Sequence, residues 1–447
     1  MKISNTAAIV LLMGTLGFRP ALCQDKEPAY WTLDSCLAYA LEMNIEVRKA
    51  DLATDRNNLY LEQSLAARLP SLSASVNQNF SWNYTYESES GTSATGQATG
   101  STSYGLNSSV DLFRGLQISK QIKQSEFNLM SSHYSSETIR ESMELNVLNA
   151  FLSVLYAGEG MTNAEKQIEV TEEQLSLATE RRELGIISHS DFLQIKSELA
   201  GEKQTLVDAK NESIMARINL MQLMEYPVSD DFEVASPDLD VLLEGSDFPN
   251  VLEIYEDALL FKPQIKQAEA NTESAKLDES IARAGLMPSL TLSAGLGTNY
   301  TGLQTGMDYF DQLGNNFSPR IGLSLSIPIF QKKQARTAIS VARIGISEAE
   351  LNEIDTRNAL RKEIEQAVAN VGSAQQQYLA SQEEYAVTSE SVEVATEKMN
   401  QGLMNSVDYL YERTNQILAE SQLLQSKYKL IFSKKVLDFY RGIPITL

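Results

Sequence analysis

The sequence predicts a mixed α+β membrane protein: an oligomeric transmembrane β-barrel, four strands per chain, continuous with a long α-helical barrel and internally duplicated. Three observations predict it. Four runs alternate apolar and polar residues with a period of two, which is the side-chain repeat of a strand. Each pair of runs lies between helix-like stretches of unusual length. The two halves of the chain also align with each other in order.

The N-terminus reads as an export signal. Lys2 supplies a positive start, Ala7 to Phe18 is apolar, and Ala21-Leu22-Cys23 resembles a small-x-small cleavage site. Residues 1–23 are therefore expected to be removed, leaving Gln24 first. The alternative makes Cys23 a lipid-modified first residue, which bulky Leu22 fits poorly. Either way Cys36 is left alone, so no intramolecular disulfide framework is expected. His133 and His189 have no second metal-ligand candidate at a convincing helical spacing, and no metal or other cofactor is implied.

The strands follow in order. From Leu72, one face carries Leu72, Ala74, Val76, Gln78, Phe80, Trp82 and Tyr84, and the other carries Ser71, Ser73, Ser75, Asn77, Asn79, Ser81 and Asn83. The second run places Tyr104, Leu106, Ser108, Val110 and Leu112 opposite Ser103, Gly105, Asn107, Ser109 and Asp111. The third sets Leu290, Leu292, Ala294, Leu296 and Tyr300 against Ser289, Thr291, Ser293, Gly295, Gly297 and Asn299. In the fourth, Ile321, Leu323, Leu325, Ile327 and Ile329 oppose Arg320, Gly322, Ser324, Ser326 and Pro328. A soluble antiparallel sheet shows the same alternation. These runs are nevertheless long enough for a tilted membrane strand of about 9–11 residues, and aromatic residues flank the loops. Trp82, Tyr84 and Tyr104 border the first hairpin loop, and Tyr300 and Phe317 the second, where an interfacial aromatic girdle belongs.

No apolar run is long enough for a membrane-spanning helix, so insertion has to use strands. Sliding the chain by 218 residues aligns Ala40 with Ala258, Pro70 with Pro288 and Leu72 with Leu290. After the hairpins an offset of 217 aligns Phe113 with Phe330, Gly185 with Gly402, Asp191 with Asp408 and Leu193 with Leu410. Repeats of this size mean two copies of one supersecondary unit. Repeat 1 is read as residues 24–225, with a helix from Leu33 to about Ala66, a hairpin at 70–113 and long helices to 225. Residues 226–249, with Pro227, Pro237, Pro249 and many acids, are a connector. Repeat 2 is 250–438 with a hairpin at 288–330, and 439–447 form a tail. The tips 85–102 and 301–316 read as solvated loops.

Four strands cannot close a barrel, and open edges in lipid leave N–H and C=O groups unpaired at several kcal/mol each. Several chains must therefore each contribute a hairpin pair. Composition narrows the function. With 59 acidic against 37 basic residues the net charge is -22, which repels phosphate and excludes a nucleic-acid partner. No nucleophile arrangement or phosphate-binding loop is present, so the protein is not read as an enzyme.

These residues resemble the TolC family of outer-membrane efflux proteins over nearly the whole mature chain. The marks are Trp31-Thr32-Leu33, the entries Leu69-Pro70-Ser71-Leu72 and Met287-Pro288-Ser289-Leu290, the exit Ile327-Pro328-Ile329-Phe330, and the segments from Gly185 to Asp191 and from Gly402 to Asp408. The resemblance implies a homotrimer in outer-membrane lipid with a periplasmic helical tunnel, joined to a periplasmic adaptor and an inner-membrane pump. It assigns adaptor-contacting tips to turns at Val154, Leu155, Tyr156, Ala157 and Gly158 and at Val371, Gly372, Ser373, Ala374 and Gln375. Equatorial helix breaks fall at Gly185, Asp191, Gly402 and Asp408, where capping alone also explains the acids. Glu383, Glu384, Glu390 and Glu393 are candidate aperture acids, although carboxylates on a long helix are usually a solvated face. Asp111 departs from the second copy, which has Pro328. The function implied is a passive exit duct for small molecules, with a type I protein secretion channel and a structural coiled-coil envelope protein as alternatives.

Overall fold

In the computed structural model, residues 30–86, 94–229, 231–237, 239, 250–302 and 306–447 are described. The export signal, its cleavage site and most of the connector's acids lie outside these residues. The elements are α1 (Leu33–Met43), α2 (Ile45–Ala66), β1 (Ser71–Tyr86), β2 (Ala94–Arg114), α3 (Gln117–Glu183), α4 (His189–Met224), α5 (Val251–Phe261), α6 (Pro263–Ala284), β3 (Ser289–Thr301), α7 (Tyr309–Asn315), β4 (Ser318–Ser326), α8 (Gln334–Asn400) and α9 (Ser406–Tyr440).

The strands form one antiparallel sheet in the order β1-β2-β3-β4. Its register joins the apolar rows into one surface. Leu72 pairs with Ser108, Val76 with Tyr104, Leu106 with Leu296, Val110 with Leu292, Leu292 with Leu323 and Leu290 with Leu325. Ser75 with Gly105, Asn107 with Gly295 and Gly295 with Arg320 make the opposite, polar surface. Gln78, the polar exception on the apolar side, accepts a hydrogen bond from its cross-strand partner Thr102. Pairing the two polar groups removes most of the penalty of carrying them on that face.

The sheet differs from the sequence reading in four places. A bulge between Asp111 and Phe113 shifts the register, so Phe113 rather than Leu112 lies opposite Leu290. Strand β4 ends at Ser326, before Ile327 and Ile329, because Pro328 has no N–H to donate. Pairing runs on into the first expected loop, out to Tyr86 opposite Ala94. The second expected loop contains α7, capped by Asp308, whose carboxylate accepts from Tyr309 N at 2.8 Å.

A helical wall repeats the order of the sheet, because α2 and α6 lead into β1 and β3 while β2 and β4 lead into α3 and α8. Its seams are polar ladders. Ser64 meets Ser125 at 2.7 Å between α2 and α3, Gln124 meets Asp278 at 2.6 Å between α3 and α6, and Arg357 meets Glu269 at 2.7 Å between α6 and α8. The strand-to-helix corners are duplicated in conformation but not in residue type. Gly115 and Leu116 have φ of 59° and 64°, and Lys332 and Lys333 have 50° and 68°. A Cβ on Gly115 would lie 2.9 Å from Ala284 O, so the first corner requires glycine.

The helix read as Leu33–Ala66 is broken at Asn44, whose extended backbone frees its side chain to cap α2 by accepting from Glu46 N at 2.8 Å. The second copy breaks at Lys262 for a different reason: the residue before Pro263 is sterically driven out of the helical region.

The largest correction concerns the expected tips. No turn occurs at Val154–Gly158 or Val371–Gln375. α3 and α8 are each one helix of 67 residues, about 100 Å long at 1.5 Å per residue. Those segments lie near mid-helix, in the two hydrophobic cores. One core gathers Leu148, Phe151, Val154 and Leu155 of α3 with Leu33, Cys36 and Ala40 of α1, Leu220 and Met224 of α4, and Phe232 of the connector. The other gathers Leu360, Ile364, Ala367 and Val371 of α8 with Ile254, Ala258 and Ile265. Burial pushes the Cys36 thiol up to about 12, so it packs as a small inert apolar group.

Candidate functional site: strand wall and helix turns

The actual turns lie at the far ends of α3 and α8, at the two glycines expected to be equatorial. Gly185 and Gly402 have φ of 73° and 71°. Gly185 N donates to Arg182 O at 3.0 Å and Ile186 N to Arg181 O at 2.8 Å. Gly402 N donates to Met399 O at 3.1 Å and Leu403 N to Lys398 O at 2.8 Å. Both are Schellman stops, which need a left-handed residue after the last helical turn.

A cap for the return helix follows closely on each stop. Ser188 Oγ accepts from Asp191 N at 3.1 Å and donates to Asp191 Oδ2 at 2.8 Å, while Asn405 Oδ1 accepts from Asp408 N at 2.9 Å. Ser188 and Asn405 are thus the caps, and Asp191 and Asp408 sit in the first turn beside the positive end of the helix dipole. Leu184, Ile186 and Leu403 stand exposed at these ends.

Below the cores the α3 end pairs with α4 and the α8 end with α9, and polar links tie the two hairpins together along α3 and α9. Tyr428 donates to Glu159 at 2.6 Å, Gln167 to Glu420 at 3.2 Å, and Gln174 to the Tyr409 hydroxyl at 2.5 Å. Arg413, buried on α9, donates to Gln416 at 2.8 Å and to Gln167 of α3. Glu383, Glu384, Glu390 and Glu393 all stand exposed on α8 on the membrane side of the Gly402 turn. Glu390 borders a cavity of about 310 Å³ with Val387, Val394, Lys398 and Glu412.

At the other end of the molecule, Trp82 and Tyr104 share the apolar face but not a level. Val76, the partner of Tyr104, is six residues from Trp82 along β1, about 20 Å. The Tyr104 hydroxyl lies 2.7 Å from that of Tyr309, whose ring lies 4.7 Å from Tyr300, and Phe317 stands exposed just before β4. The side chain of Tyr84 is outside the described residues. Asp111 sits on the polar face, where it accepts from Thr291 at 2.8 Å and pairs with Arg114 at 3.3 Å. Among the described residues no cluster of three or more metal-ligating side chains occurs, and no helix is long and apolar enough to cross a membrane.

The profile of the family described as outer membrane efflux protein matches residues 37–224 and 254–440. The chain belongs to that family. The two matched segments are the two copies of the duplication. The pyoverdine export outer membrane protein OpmQ of Pseudomonas aeruginosa is 30% identical over 55% of this chain and 50% of its own. The outer membrane protein TolC of Escherichia coli is 23% identical over 67% of this chain and 61% of its own. The chain thus spans about half to three fifths of the length of these curated relatives. The CmeC outer membrane channel of Campylobacter jejuni superposes with a TM-score of 0.77 at 20% identity, covering 92% of this chain and 85% of that one. The fold is that of an outer-membrane channel with a β-barrel part and a helical periplasmic part, and the outer membrane is the location of this family member.

Sequence reading missed the group around Arg413 in this family member. On α4, burial first and then the neighbouring charge of Glu202 raise Glu198 to about 7, and Arg413 opposes both. Burial likewise raises Glu202, against Thr171 and Arg413. Glu198 Oε2 and Arg413 Nε are buried without a hydrogen-bond partner. The available signal was an acidic pair four residues apart on one helix and a lone arginine on the inward stripe of another, four residues from Tyr409.

Proposed function

We propose that the protein is the passive exit duct of a tripartite efflux system, a homotrimer that carries small molecules from an inner-membrane pump and a periplasmic adaptor across the outer membrane. One observation carries the reading: sheet and helical wall end at matching open edges. β1 and β4 have one unpaired side each, and the helices that continue them, α2 and α8, expose Leu52 and Leu59, and Val341, Ile344, Leu351 and Ile354. In hydrocarbon an open strand edge is excluded, so copies of the chain close the ring, and three copies give twelve strands. Family membership and the relative named for pyoverdine export support efflux.

The adaptor contact belongs to the real ends of the long helices, at Leu184, Ile186 and Leu403, rather than to the buried mid-helix segments. The energy for transport comes from the pump, and the duct makes or breaks no covalent bond. Purified protein in planar lipid bilayers gives discrete ion conductance, larger when Arg413→Ala removes its link between α3 and α9. Failure of both the parent and that variant to conduct overturns the duct and leaves a structural envelope role.

A further inference from the structure

Between β3 and β4, residues 306–317 with α7 lie on the apolar side of the sheet, the side that carries Leu296, Leu106 and Val76. Five contacts hold α7 there. Tyr309 lies with its ring tilted against Tyr300 at 4.7 Å and shares a hydrogen bond with Tyr104, both residues of that face. Thr298 Oγ1, on the same face, donates to Leu313 O at 2.5 Å. Gln312 is 1% exposed and accepts from Thr301 N at 3.0 Å. Asn316 donates to Asn299 O at 2.7 Å. A helix of seven residues is far too short to hold its shape alone, so these contacts fix it.

The pinned helix nevertheless presents apolar groups outward. Phe310 is 78% exposed and edge-on to Tyr309 at 5.5 Å, with Met307 and Phe317 also exposed. This patch lies at the end of the side that carries Tyr104 and Tyr300.

We propose that α7 is an outer-leaflet anchor, a short helix held against the lipid side of the barrel whose Phe310, with Met307 and Phe317, enters the bilayer at the headgroup–acyl boundary. The occupant of the patch is lipid because the patch adjoins the sheet surface read as lipid-facing. Amphipathic segments seat about 5–10 Å into that boundary. Three such feet, one per protomer, would fix the depth and tilt of the barrel. The inference rests on the reading of the sheet's apolar side as lipid-facing.

The test uses the full-length protein in phospholipid vesicles, with Trp82→Phe in every variant and Trp31, buried in the periplasmic core, as an unquenched background. Phe310→Trp should lose roughly half of the added emission with lipids brominated high on the acyl chain, and less with bromines near the bilayer centre. Leu323→Trp, on the apolar side opposite Leu292 and six residues along β3 from the Thr298 level at which α7 is held, serves as the control for the sheet and should be quenched most by the deep bromines. If the indole introduced on α7 responds to aqueous acrylamide instead of brominated lipid, the anchor is overturned. Shielding of that indole from both quenchers also overturns it, and would place α7 against the neighbouring protomer. Lipid quenching in the β4 variant without quenching in the α7 variant makes only the anchor fail. If lipid quenches neither variant, the lipid-facing reading of the sheet fails with it.

Discussion

Arg413 shows how one side chain joins two otherwise separate helical hairpins. It projects from α9 toward α3, where Gln167 accepts from it, and toward α4, where Glu198 and Glu202 lie one turn apart. Burial, with the charge of Glu202, raises Glu198 to about 7. A carboxyl raised in the folded state binds more protons there than in the unfolded chain between its ordinary value and about 7. The fold is therefore favoured on the acid side, and that contribution is lost as pH rises through this window. Amide exchange around residues 195–202 and 409–416 should accelerate as pH is raised from about 5 to about 8, after correction for intrinsic exchange. Glu198→Gln should flatten that dependence and leave exchange slow at the alkaline end. An unchanged slope in the variant would remove Glu198 as its cause. Neighbouring groups on all three packed elements set this behaviour: Glu202 of α4, Arg413 of α9, and Gln167 and Thr171 of α3.

At the level of the element, each strand has two chemically opposite sides, and the register fixes which residues share a side. Val76 and Leu325 lie on the apolar surface and Ser75 on the polar one, opposite Gly105. Val76→Arg or Leu325→Arg should lower the yield of membrane-inserted protein, because a lipid-facing arginine costs up to about 2–4 kcal/mol, the most at midplane. Ser75→Arg, facing a glycine across the strand pair, should insert normally and change single-channel conductance. Equal insertion of all three variants would contradict the assignment of faces. These faces were legible in the sequence because a period of two reports directly on the two sides of a strand. The bulge at Asp111–Phe113 was not, since an inserted residue leaves the apolar pattern readable in either register. The ends of the long helices were hidden for a related reason. Gly158 and Gly372 suggest turns, yet glycines of α3 such as Gly158 have open space around them and are tolerated inside a long packed helix. The real stops are marked by a glycine followed at once by a cap and an acid, Ser188 with Asp191 and Asn405 with Asp408, a combination that ends one helix and starts the next.

For the whole molecule, the duplication predicts how copies meet. Inside one chain, α3 of the first copy lies against α6 of the second, with Gln124 on Asp278 at 2.6 Å. Moving each residue to its counterpart in the other copy, by the offsets of 217 and 218, gives Val341 on α8 and Tyr60 on α2, both exposed on open edges. A ring with nearly equivalent seams places these two side by side between neighbouring protomers. The lower seam behaves in the same way. The pair Gln167 and Arg413 maps to Glu384 and Lys196, opposite charges that both stand exposed in the single chain. Glu384 is on this account part of a seam, not of the aperture that its charge alone suggests. Tyr60→Cys with Val341→Cys, and Lys196→Cys with Glu384→Cys, should each give under mild oxidation in the outer membrane a ladder of one, two and three chains that ends at three. Each single variant should remain monomeric on a denaturing gel, because Cys36 is buried and inert. A ladder that ends elsewhere would change the number of copies in the ring. The absence of cross-links in both double variants would mean that the open edges of sheet and wall are closed by something other than a second copy of this chain.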